Sequence, residues 1–433
     1  MIKLLIAAVS VIALAATASA VTYRVGPDED IKTLSEIADD LEPGDVVEIT
    51  GDITDSVVLR RSGTADAPIT IRGPRGRRPK IDFAGARNGI ETRGDHYVFE
   101  RLSLHNAGAR GIFQVSHDIT VRDCYFEGNH NGILGADDRN VGDILIEYCE
   151  FFRNGSGIYG HQIYLASFKP GAQAIVQFNH FHESAGGANI KTRMPRNIIR
   201  YNWIEGASNY ECDLVDSDRG PDDLRPMHLL FMGNVVVTNN IGNPHHQSNI
   251  GSDQPRSPGT DNTYLIVNNL FVLNRESDII HMTRVGGETE SVGFYNNIFV
   301  APRLDHFRVM CVENVQAEKG RPGQPGYVRR LHGSNNFAAA NADNLFEEIE
   351  NWIQGEDAGF IDFERNDFRL TPDSPCVGAG TTAAPVAPRY LPPMRAKMPV
   401  GGELTRRISD SIDLGPFGAT VEGADDYPEW AKR

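Results

Sequence analysis

Apolar and polar residues alternate with a period of two in short runs that recur along most of the chain. Within these runs a fixed residue is followed two positions later by an apolar one, as Cys124 is by Phe126 and Asn179 is by Phe181. Alternation of this kind is typical of short β-strands, and helical periodicity is scarce in the same region. The pattern therefore predicts an all-β protein built from many short strands.

The fixed residues form a column that repeats along the chain at intervals of 22 to 35 residues. A minimum repeat of 22 residues with insertions of variable length suits a right-handed parallel β-helix, in which each coil supplies three strands. We predict this fold, with the asparagines as an internal hydrogen-bonded ladder and the two cysteines stacked on adjacent coils, where a disulfide is an option. The column comprises Leu102, Cys124, Cys149, Asn179, Asn202, Asn234, Asn269 and Asn297.

Two segments flank the repeats. Residues 31–45 carry apolar side chains at helical spacing and predict an amphipathic helix that caps the N-terminal end of the β-helix. The Pro-rich residues 385–399 show no strand pattern. We therefore predict a β-helix over residues 21–380 and an irregular C-terminal tail over residues 381–433.

The first residues have the pattern of a secretory signal peptide. Lys3 precedes an apolar run over residues 4–15, and Ala18-Ser19-Ala20 has the form of a cleavage signal. We expect residues 1–20 to be removed and the mature protein to be secreted or periplasmic. No later stretch is apolar enough to span a bilayer, so a membrane partner is not expected.

Charge and cysteine content narrow the choice of partners. The formal net charge is −16, which disfavours nucleic acid as a partner. Five cysteines without a CxxC pair make neither a disulfide framework nor a zinc ribbon, and no metal ligand is assigned. We expect a monomer.

One outer face of the predicted helix carries polar side chains on successive coils. In the strand that precedes the column strand, the apolar parity places Ile163, Ile190 and Cys212 in the core. The following residues, Leu134, Tyr164, Lys191 and Asp213, then point outward and stack about 5 Å apart. Arg193 lies on the same face, His161 and Gln162 enter it from one side, and Ser252 or Asp253 and His281 would extend it.

Two interpretations of this face are open. Lys191 could pair with Asp213 and Arg193 with Asp216 in a solvated ladder of ion pairs, which would contribute little stability. Alternatively, the convergence of tyrosine, histidine, cations and carboxylates could form an active site.

The segments "YGHQIYLAS" and, one coil later, "GGANIKTRMPRNIIRYN" are similar to segments of β-helix proteins from bacterial polysaccharide loci. Over residues 25–380 the chain resembles secreted right-handed β-helix proteins that include polysaccharide lyases of the chondroitinase B and alginate lyase type. The resemblance implies cleavage of a uronate-containing polysaccharide by β-elimination. In that reaction a base removes the proton at C5 while a cation neutralises the carboxylate.

The resemblance directs the catalytic roles to the residues of the outer face. If Asp213 contacts Lys191 directly, Tyr164 or His161 becomes the better base and Lys191 an electrostatic stabiliser. The candidate catalytic residues are Lys191, Arg193, Tyr164, His161 and Asp213. The candidate residues for binding an acidic polysaccharide or oligosaccharide are Gln162, Asn189, Arg196, Arg219, Asp216, Asp218, His246 and His281.

The chain departs from the lyase pattern at the stretch before Lys191. Chondroitinase-type lyases carry calcium-binding glutamates there, whereas this chain has Gly186-Gly187-Ala188-Asn189. No cofactor is therefore certain, although Ca²⁺ could bind the acidic loop 213–223 through oxygen ligands.

Two alternatives share the same fold. The order Asp137-Asp138, Gly160-His161 and Ile190-Lys191 resembles polygalacturonase-type glycoside hydrolases, which need a pair of carboxyl groups. A non-catalytic polysaccharide-binding rod would instead present aromatic rows, for which Trp203 and Tyr210 are candidates.

Overall fold

The structure is a computed structural model and shows three parallel sheets wound into a right-handed β-helix. Sheet A has 13 described strands, sheet B 12 and sheet C 11, and each strand pairs with the equivalent strand one coil away. The residues that the structure describes are 20–217, 221, 224, 226–239, 246–251, 262–275, 281–286, 289–312, 328–343, 345–385, 394–395, 403–407, 412–417 and 421–423.

From Val46–Ile49 onward, the strands of the three sheets follow one another along the chain in the order A, B, C. Sheet A contains Thr22–Val25, Val46–Ile49, Ile69–Arg72, Tyr97–Glu100, Ile119–Arg122, Ile144–Glu147, Gln173–Gln177, Arg196–Arg200, His228–Met232, Thr263–Val267, Thr289–Tyr295, Val328–Ser334 and Ile349–Glu350. Sheet B contains Ile53–Thr54, Lys80–Asp82, Ser103–His105, Tyr125–Glu127, Glu150–Phe152, His180–His182, Trp203–Glu205, Val235–Thr238, Leu270–Leu273, Ile298–Val300, Phe337–Ala339 and Ile353–Gly355. Sheet C contains Val57–Leu59, Asn88–Thr92, Arg110–Gln114, Ile133–Gly135, Ile163–Ala166, Ile190–Arg193, Cys212–Val215, His246–Gly251, His281–Gly286, Phe307–Val312 and Ala342–Asp343.

Two smaller antiparallel sheets follow the coils. Phe360–Asp362 pairs with Asp367–Leu370, and Glu403–Arg407 pairs with Met394–Arg395 and Val421–Gly423. Among the described residues, no helix is long and apolar enough to cross a membrane.

The predicted N-terminal helical cap is wrong. Within residues 31–45 the regular helical structure is one 3₁₀ turn, Leu34–Glu36, and no α-helix occurs among the described residues. Leu34, Ile37 and Leu41 are nevertheless buried in the core. Because so short a segment gains little from helix formation, burial of its apolar residues decides its conformation.

The core is a continuous apolar column filled by the inward residues of all three sheets. Phe126, Phe151 and Phe181 stack on successive coils, with ring centroids 4.6 and 4.7 Å apart. Each coil alone could not bury these side chains, so stacking of the coils creates the core.

The predicted asparagine ladder is confirmed at the turn between sheets A and B. The residue before each ladder position adopts the left-handed conformation, as Tyr201 does with φ 57° before Asn202. The Oδ1 atom of Asn234 accepts hydrogen bonds from the backbone N–H and from Nδ2 of Asn202, each at 3.0 Å. Cys124 and Cys149 occupy the same column as free, buried thiols.

Replacing one ladder asparagine by leucine is expected to destabilise the protein strongly. Asn234→Leu removes the acceptor for Asn202 and the donor to the carbonyl of Ile199, so buried polar groups lose their partners. We expect a loss of about 3 kcal/mol in the free energy of unfolding. Chemical denaturation measures the effect, with Asn140→Leu at an exposed turn as the control. Equal effects of the two substitutions would contradict a stabilising ladder.

Candidate functional site

A row of outward side chains runs across sheet C and is called the outer row here. Neighbouring strands place its members directly opposite one another, and the inward residues Ile163, Ile190 and Cys212 form the buried row beside it. The register predicted for Leu134 to Asp213 is therefore confirmed. The outer row consists of Leu134, Tyr164, Lys191, Asp213, Asn249 and Arg284.

Hydrogen bonds connect four consecutive members of the outer row. The Lys191 ammonium donates directly to Oδ2 of Asp213, while Nδ2 of Asn249 donates to Oδ1 of the same carboxylate at 3.0 Å. Nη1 of Arg284 donates to Oδ1 of Asn249 at 2.8 Å. Asp213 is only 5 % exposed, so solvent screens its attraction for Lys191 little. The chain of contacts therefore holds Lys191 in place.

Tyr164 lies on the other side of Lys191. The Lys191 Nζ atom is 5.8 Å from the centre of the Tyr164 ring, which places a cation beside the aromatic face. The His161 ring meets Tyr164 edge to face, with centroids 5.7 Å apart and an interplanar angle of 71°. A phenol, an imidazole and an ammonium therefore converge within two neighbouring coils.

His161 is buried as a neutral imidazole. Its Nδ1 accepts a hydrogen bond from the backbone N–H of Ala188 at 2.9 Å, so the ring proton is assigned to Nε2. Burial, reinforced by the nearby Lys191 ammonium, lowers the pKa of His161 from 6.5 to about 3. Within the described residues Nε2 makes no hydrogen bond to the protein, so its N–H is suited to donate a hydrogen bond to a bound molecule.

The glycines before Ala188 make this arrangement possible. Gly187 adopts φ 55°, and a Cβ atom there would lie 2.5 Å from Nδ1 of His161 and 2.2 Å from the carbonyl oxygen of Gly160. A side chain at residue 187 would therefore displace the imidazole. This close approach explains Gly187, whereas a Cβ atom at Gly186 would lie 2.5 Å from the backbone nitrogen of Ser156.

His161 is expected to make the stability of the protein depend on pH. The unfolded chain takes up a proton near pH 6.5, whereas the folded chain resists protonation until about pH 3. The stabilising contribution of a neutral His161 is thus complete above pH 6.5 and is lost as pH falls toward 3. In urea unfolding from pH 7 to 5, His161→Gln is expected to show a shallower decline than the wild type. Parallel curves would contradict this role, because all other histidines are common to both proteins.

Arg193 and Asp216 meet at the turn that follows sheet C. Arg193 is 8 % exposed, and its Nη1 donates to the backbone oxygen of Asp216 at 3.2 Å. The Asp216 carboxylate accepts hydrogen bonds from the hydroxyl of Tyr264 and from Nδ2 of Asn262. Asp216 is therefore anchored toward sheet A and lies off the outer row.

Gln162 and Asn189 lie in the interior and not on the outer face. Gln162 is 0 % exposed and its Oε1 accepts from Nδ2 of Asn154 at 2.7 Å. Asn189 is also 0 % exposed and donates to Oε2 of Glu211 at 2.7 Å. Burial raises the pKa of Glu211 to about 8. These amides satisfy buried backbone and side-chain groups between sheets B and C, so direct contact with a polysaccharide is not available to them.

The other predicted polysaccharide-binding residues do not form one group beside Lys191. Arg196 is exposed at the start of a sheet A strand, beyond the turn from the outer row. His246 and His281 pair on neighbouring sheet C strands, with ring centroids 5.3 Å apart. Asp218, Arg219, Ser252 and Asp253 lie outside the described residues.

The sequence reasoning missed Asn249 and Arg284, which extend the outer row. A long insertion separates the strand Cys212–Val215 from the strand His246–Gly251, so the register could not be counted across it. The available signal was the repeated order polar, aliphatic, glycine in Asn249-Ile250-Gly251 and Arg284-Val285-Gly286, whose glycines are register partners.

The residues before Lys191 do not fit a calcium site of the chondroitinase type. Gly186 to Asn189 supply no carboxylate, and the adjacent Glu211 is buried and engaged by Asn189 and the backbone of Ala207. In the acidic loop, Asp213 and Asp216 accept bonds from other side chains, and residues 218–220 and 222–223 lie outside the description.

Two clusters in the described part of the chain bring three potential metal-ligand atoms within 4.8 Å of one another, and both lie away from the outer row. They are His96, His117 and Asp118 beside sheet A, and Glu150, His180 and His182 on sheet B.

Asp138, a candidate for a glycoside hydrolase, and Trp203, a candidate for a polysaccharide-binding rod, both lie away from the outer row. Asp138 lies in a turn, where its carboxylate accepts from the backbone N–H of Asn140 at 2.8 Å. Trp203 is 4 % exposed and stacks on Phe368, with ring centroids 5.6 Å apart, so it offers no open surface for a sugar.

Comparison with known proteins supports the fold. Residues 79–222 match the family model described as a right-handed β-helix region. A pectate lyase, Pel9A, superposes with a TM-score of 0.55 at 15 % identity, covering 93 % of this chain and 97 % of that one. A search of curated proteins finds no match.

Two further solved structures give lower scores. A rhamnogalacturonan lyase has a TM-score of 0.44 at 13 % identity over 83 % of this chain and 96 % of its own. An alginate lyase from Paenibacillus sp. str. FPU-7 has a TM-score of 0.41 at 17 % identity over 77 % and 98 %. The pectate lyase comparison, at 15 % identity and a TM-score of 0.55, establishes the fold. The chain is a right-handed parallel β-helix protein whose architecture is shared with a pectate lyase.

Proposed function

We propose that the protein is a secreted polysaccharide lyase that cleaves an acidic, uronate-containing polysaccharide by β-elimination. The observation that carries the proposal is the placement of Tyr164 beside Lys191, which Asp213 holds on the outer face of sheet C. Elimination at a uronate needs a proton acceptor next to a fixed cation, and this part of the outer row supplies both.

Lys191 acts as the electrostatic group in this proposal. Its ammonium donates directly to Oδ2 of Asp213, and an ammonium group has donors but no electron pair with which to take a proton from the substrate. An ammonium contacting the uronate carboxylate withdraws charge from it and makes the proton at C5 removable. Asn249 donates to the other oxygen of the Asp213 carboxylate and fixes its orientation. The fixed carboxylate in turn positions the Lys191 ammonium.

Tyr164 acts as the base. Its phenolate takes the proton from C5, the electron pair of that bond forms the C4–C5 double bond, and the C4–O bond breaks. The phenol then returns the proton to the leaving oxygen, so the residue is regenerated in each cycle. His161, neutral and protonated at Nε2, donates a hydrogen bond to the substrate but does not abstract a proton.

The charges around the outer row suit an anionic chain despite the net charge of −16. Arg284 continues the row, and Arg308 lies on the next strand, where its Nη1 is 3.5 Å from Nε2 of His281. Local charge, more than the total, sets the field that a bound polymer experiences. Cleavage of such a polymer outside the cell also agrees with the signal peptide expected at residues 1–20.

Glycoside hydrolysis receives less support from the site. It needs one protonated and one ionised carboxyl group flanking the glycosidic bond. Asp213 is engaged by Lys191 and Asn249, and Asp216 by Tyr264 and Asn262. β-Elimination, in contrast, does not require a pair of carboxyl groups on the enzyme.

Incubation of the purified mature protein with a panel of uronate polysaccharides tests the proposal. Elimination raises the ultraviolet absorbance of unsaturated uronate and the number of reducing ends together. Reducing ends without the absorbance would replace the lyase by a hydrolase. Binding without either signal would support the polysaccharide-binding rod. Arg153→Ala, which removes an exposed cation next to a sheet B strand, is the matched control and is expected to leave the rate unchanged.

A further inference from the structure

Two consecutive coils each carry one histidine and one aspartate at the turn that leads into sheet A, in opposite order along the chain. The first coil carries Asp95-His96 and the next carries His117-Asp118, and the strands that follow them pair Tyr97 with Ile119. His96 is therefore stacked on Asp118, and Asp95 on His117. Both His96 and Asp118 adopt left-handed backbone conformations, with φ of 60° and 56°.

The side chains of these coils converge on one point. Oδ2 of Asp118 lies 3.3 Å from Nδ1 of His96 and 2.7 Å from Nδ1 of His117. The two imidazole rings are nearly perpendicular, with an interplanar angle of 83° and centroids 5.3 Å apart. Perpendicular rings can direct their in-plane lone pairs at a common ion, and the potential ligand atoms all lie within 4.8 Å of one another.

We propose that His96, His117 and Asp118 form a binding site for a divalent transition-metal ion of the zinc class. Two imidazole nitrogens and one carboxylate oxygen are ligands that zinc prefers. In a tetrahedral zinc site such ligands stand about 3.4 Å apart, so the His96 contact already fits and the His117 contact must open slightly.

Asp95 supports the same assignment as a positioning residue. Its Oδ2 lies 3.0 Å from Nε2 of His117, which places a carboxylate beside that nitrogen while Nδ1 of the same ring faces Asp118. A carboxylate that holds the second nitrogen of a ligating histidine is the usual partner of zinc sites. A divalent ion would balance the charges of the two carboxylates, Asp95 and Asp118.

The site is open on one side to a cleft of about 380 Å³ on the outer face of sheet A. His96 and Asp118 line this cleft together with Val98, Thr120, Leu145 and Ile175. Three protein ligands leave a fourth position for water or for a group entering from the cleft. The cleft lies on a different sheet from the outer row, so the metal site is separate from the proposed lyase centre.

The second histidine cluster, on sheet B, is a matched contrast. His180 and His182 stack face to face, with centroids 4.0 Å apart and an interplanar angle of 5°. The Nε2 atom of each ring is hydrogen-bonded to a different glutamate, that of His180 to Glu205 and that of His182 to Glu150, both at 3.1 Å. Parallel stacked rings cannot both aim an in-plane lone pair at one ion, so this cluster is held by hydrogen bonds.

Titration of the chelator-treated full chain with Zn²⁺, and with Co²⁺ as a spectroscopic probe, tests the proposal. We expect one tight site per chain, a Co²⁺ spectrum of tetrahedral type, and a rise in melting temperature on addition of Zn²⁺. His96→Gln and His117→Gln are each expected to abolish the tight site, and Asp95→Asn to weaken it about 10–100-fold. His182→Gln is the matched control and should bind as the wild type does.

Three results would overturn the assignment: no tight binding by the wild type, binding unchanged in both His96→Gln and His117→Gln, or binding lost in His182→Gln. Because these side chains lie at the surface, circular dichroism of each variant is expected to match the wild type. The Asp95→Asn variant keeps all three ligands, so its weakened binding separates a metal site from a general loss of structure.

Discussion

Tyr164→Phe is expected to lower kcat for uronate β-elimination by about 10²–10⁴-fold, with little change in KM. The substitution removes the phenolic oxygen that takes the C5 proton but keeps the ring against His161 and Lys191. Binding of the sugar is therefore preserved while proton transfer is lost. Initial rates of absorbance increase at several substrate concentrations separate kcat from KM.

Tyr125→Phe provides the control for the loss of a hydroxyl. Tyr125 is an outward tyrosine of sheet B whose hydroxyl donates to Glu127, so its replacement changes a comparable group away from the outer row. We expect its kcat to equal that of the wild type. If Tyr164→Phe retained most of the wild-type kcat, Tyr164 would not be the base.

Lys191→Met is expected to lower kcat about 10²–10³-fold and to raise KM. The ammonium stabilises the charge that develops on the uronate carboxylate, and it also attracts that carboxylate in the ground state. The substitution leaves Asp213 buried, with the Asn249 amide as its remaining side-chain hydrogen-bond partner among the described residues, so some loss of stability is expected as well.

The double variant Lys191→Met/Asp213→Leu separates the two effects. It removes the buried carboxylate together with its cation, so stability is expected to recover while activity stays low. Recovery of activity in the double variant, or full activity in Lys191→Met, would favour a structural ladder of ion pairs over an active site. Thermal melting and initial rates on the same preparations distinguish these outcomes.

Much of the fold follows from one repeated position in the sequence. An asparagine after a left-handed turn residue can bond the backbone of the neighbouring coil, so its recurrence indicates stacked coils. The same column fixes the parity of the strands, which is why Tyr164, Lys191 and Asp213 could be placed opposite one another. Strand alternation is a strict geometric rule and transfers directly from sequence to structure.

The alternation rule fails in the turns just before a strand begins. Gln162 and Asn189 each directly precede a sheet C strand, and at that turn their side chains point between the sheets. Asn249 and Arg284 were missed because insertions of unequal length hide the register. The chemistry of Lys191 likewise depends on its direct contact with Asp213, which no spacing in the sequence establishes.

The 31–45 segment shows a different limit of pattern reasoning. Leu34, Ile37 and Leu41 have the spacing of a helix, but the chain needs only to turn these residues inward at the end of the coils. One 3₁₀ turn achieves that burial. Periodicity therefore identified the buried residues correctly and the secondary structure wrongly.

Cleavage of a uronate oligosaccharide in heavy-oxygen water, followed by mass spectrometry of the products, tests the central claim most directly. Hydrolysis adds a water molecule across the broken bond, whereas elimination breaks the bond without consuming water. We predict products that carry no heavy oxygen from the cleavage step and include an unsaturated end lighter by one water, formed by the wild type and not by Tyr164→Phe. Products that carry heavy oxygen and lack the unsaturated end would contradict the lyase mechanism.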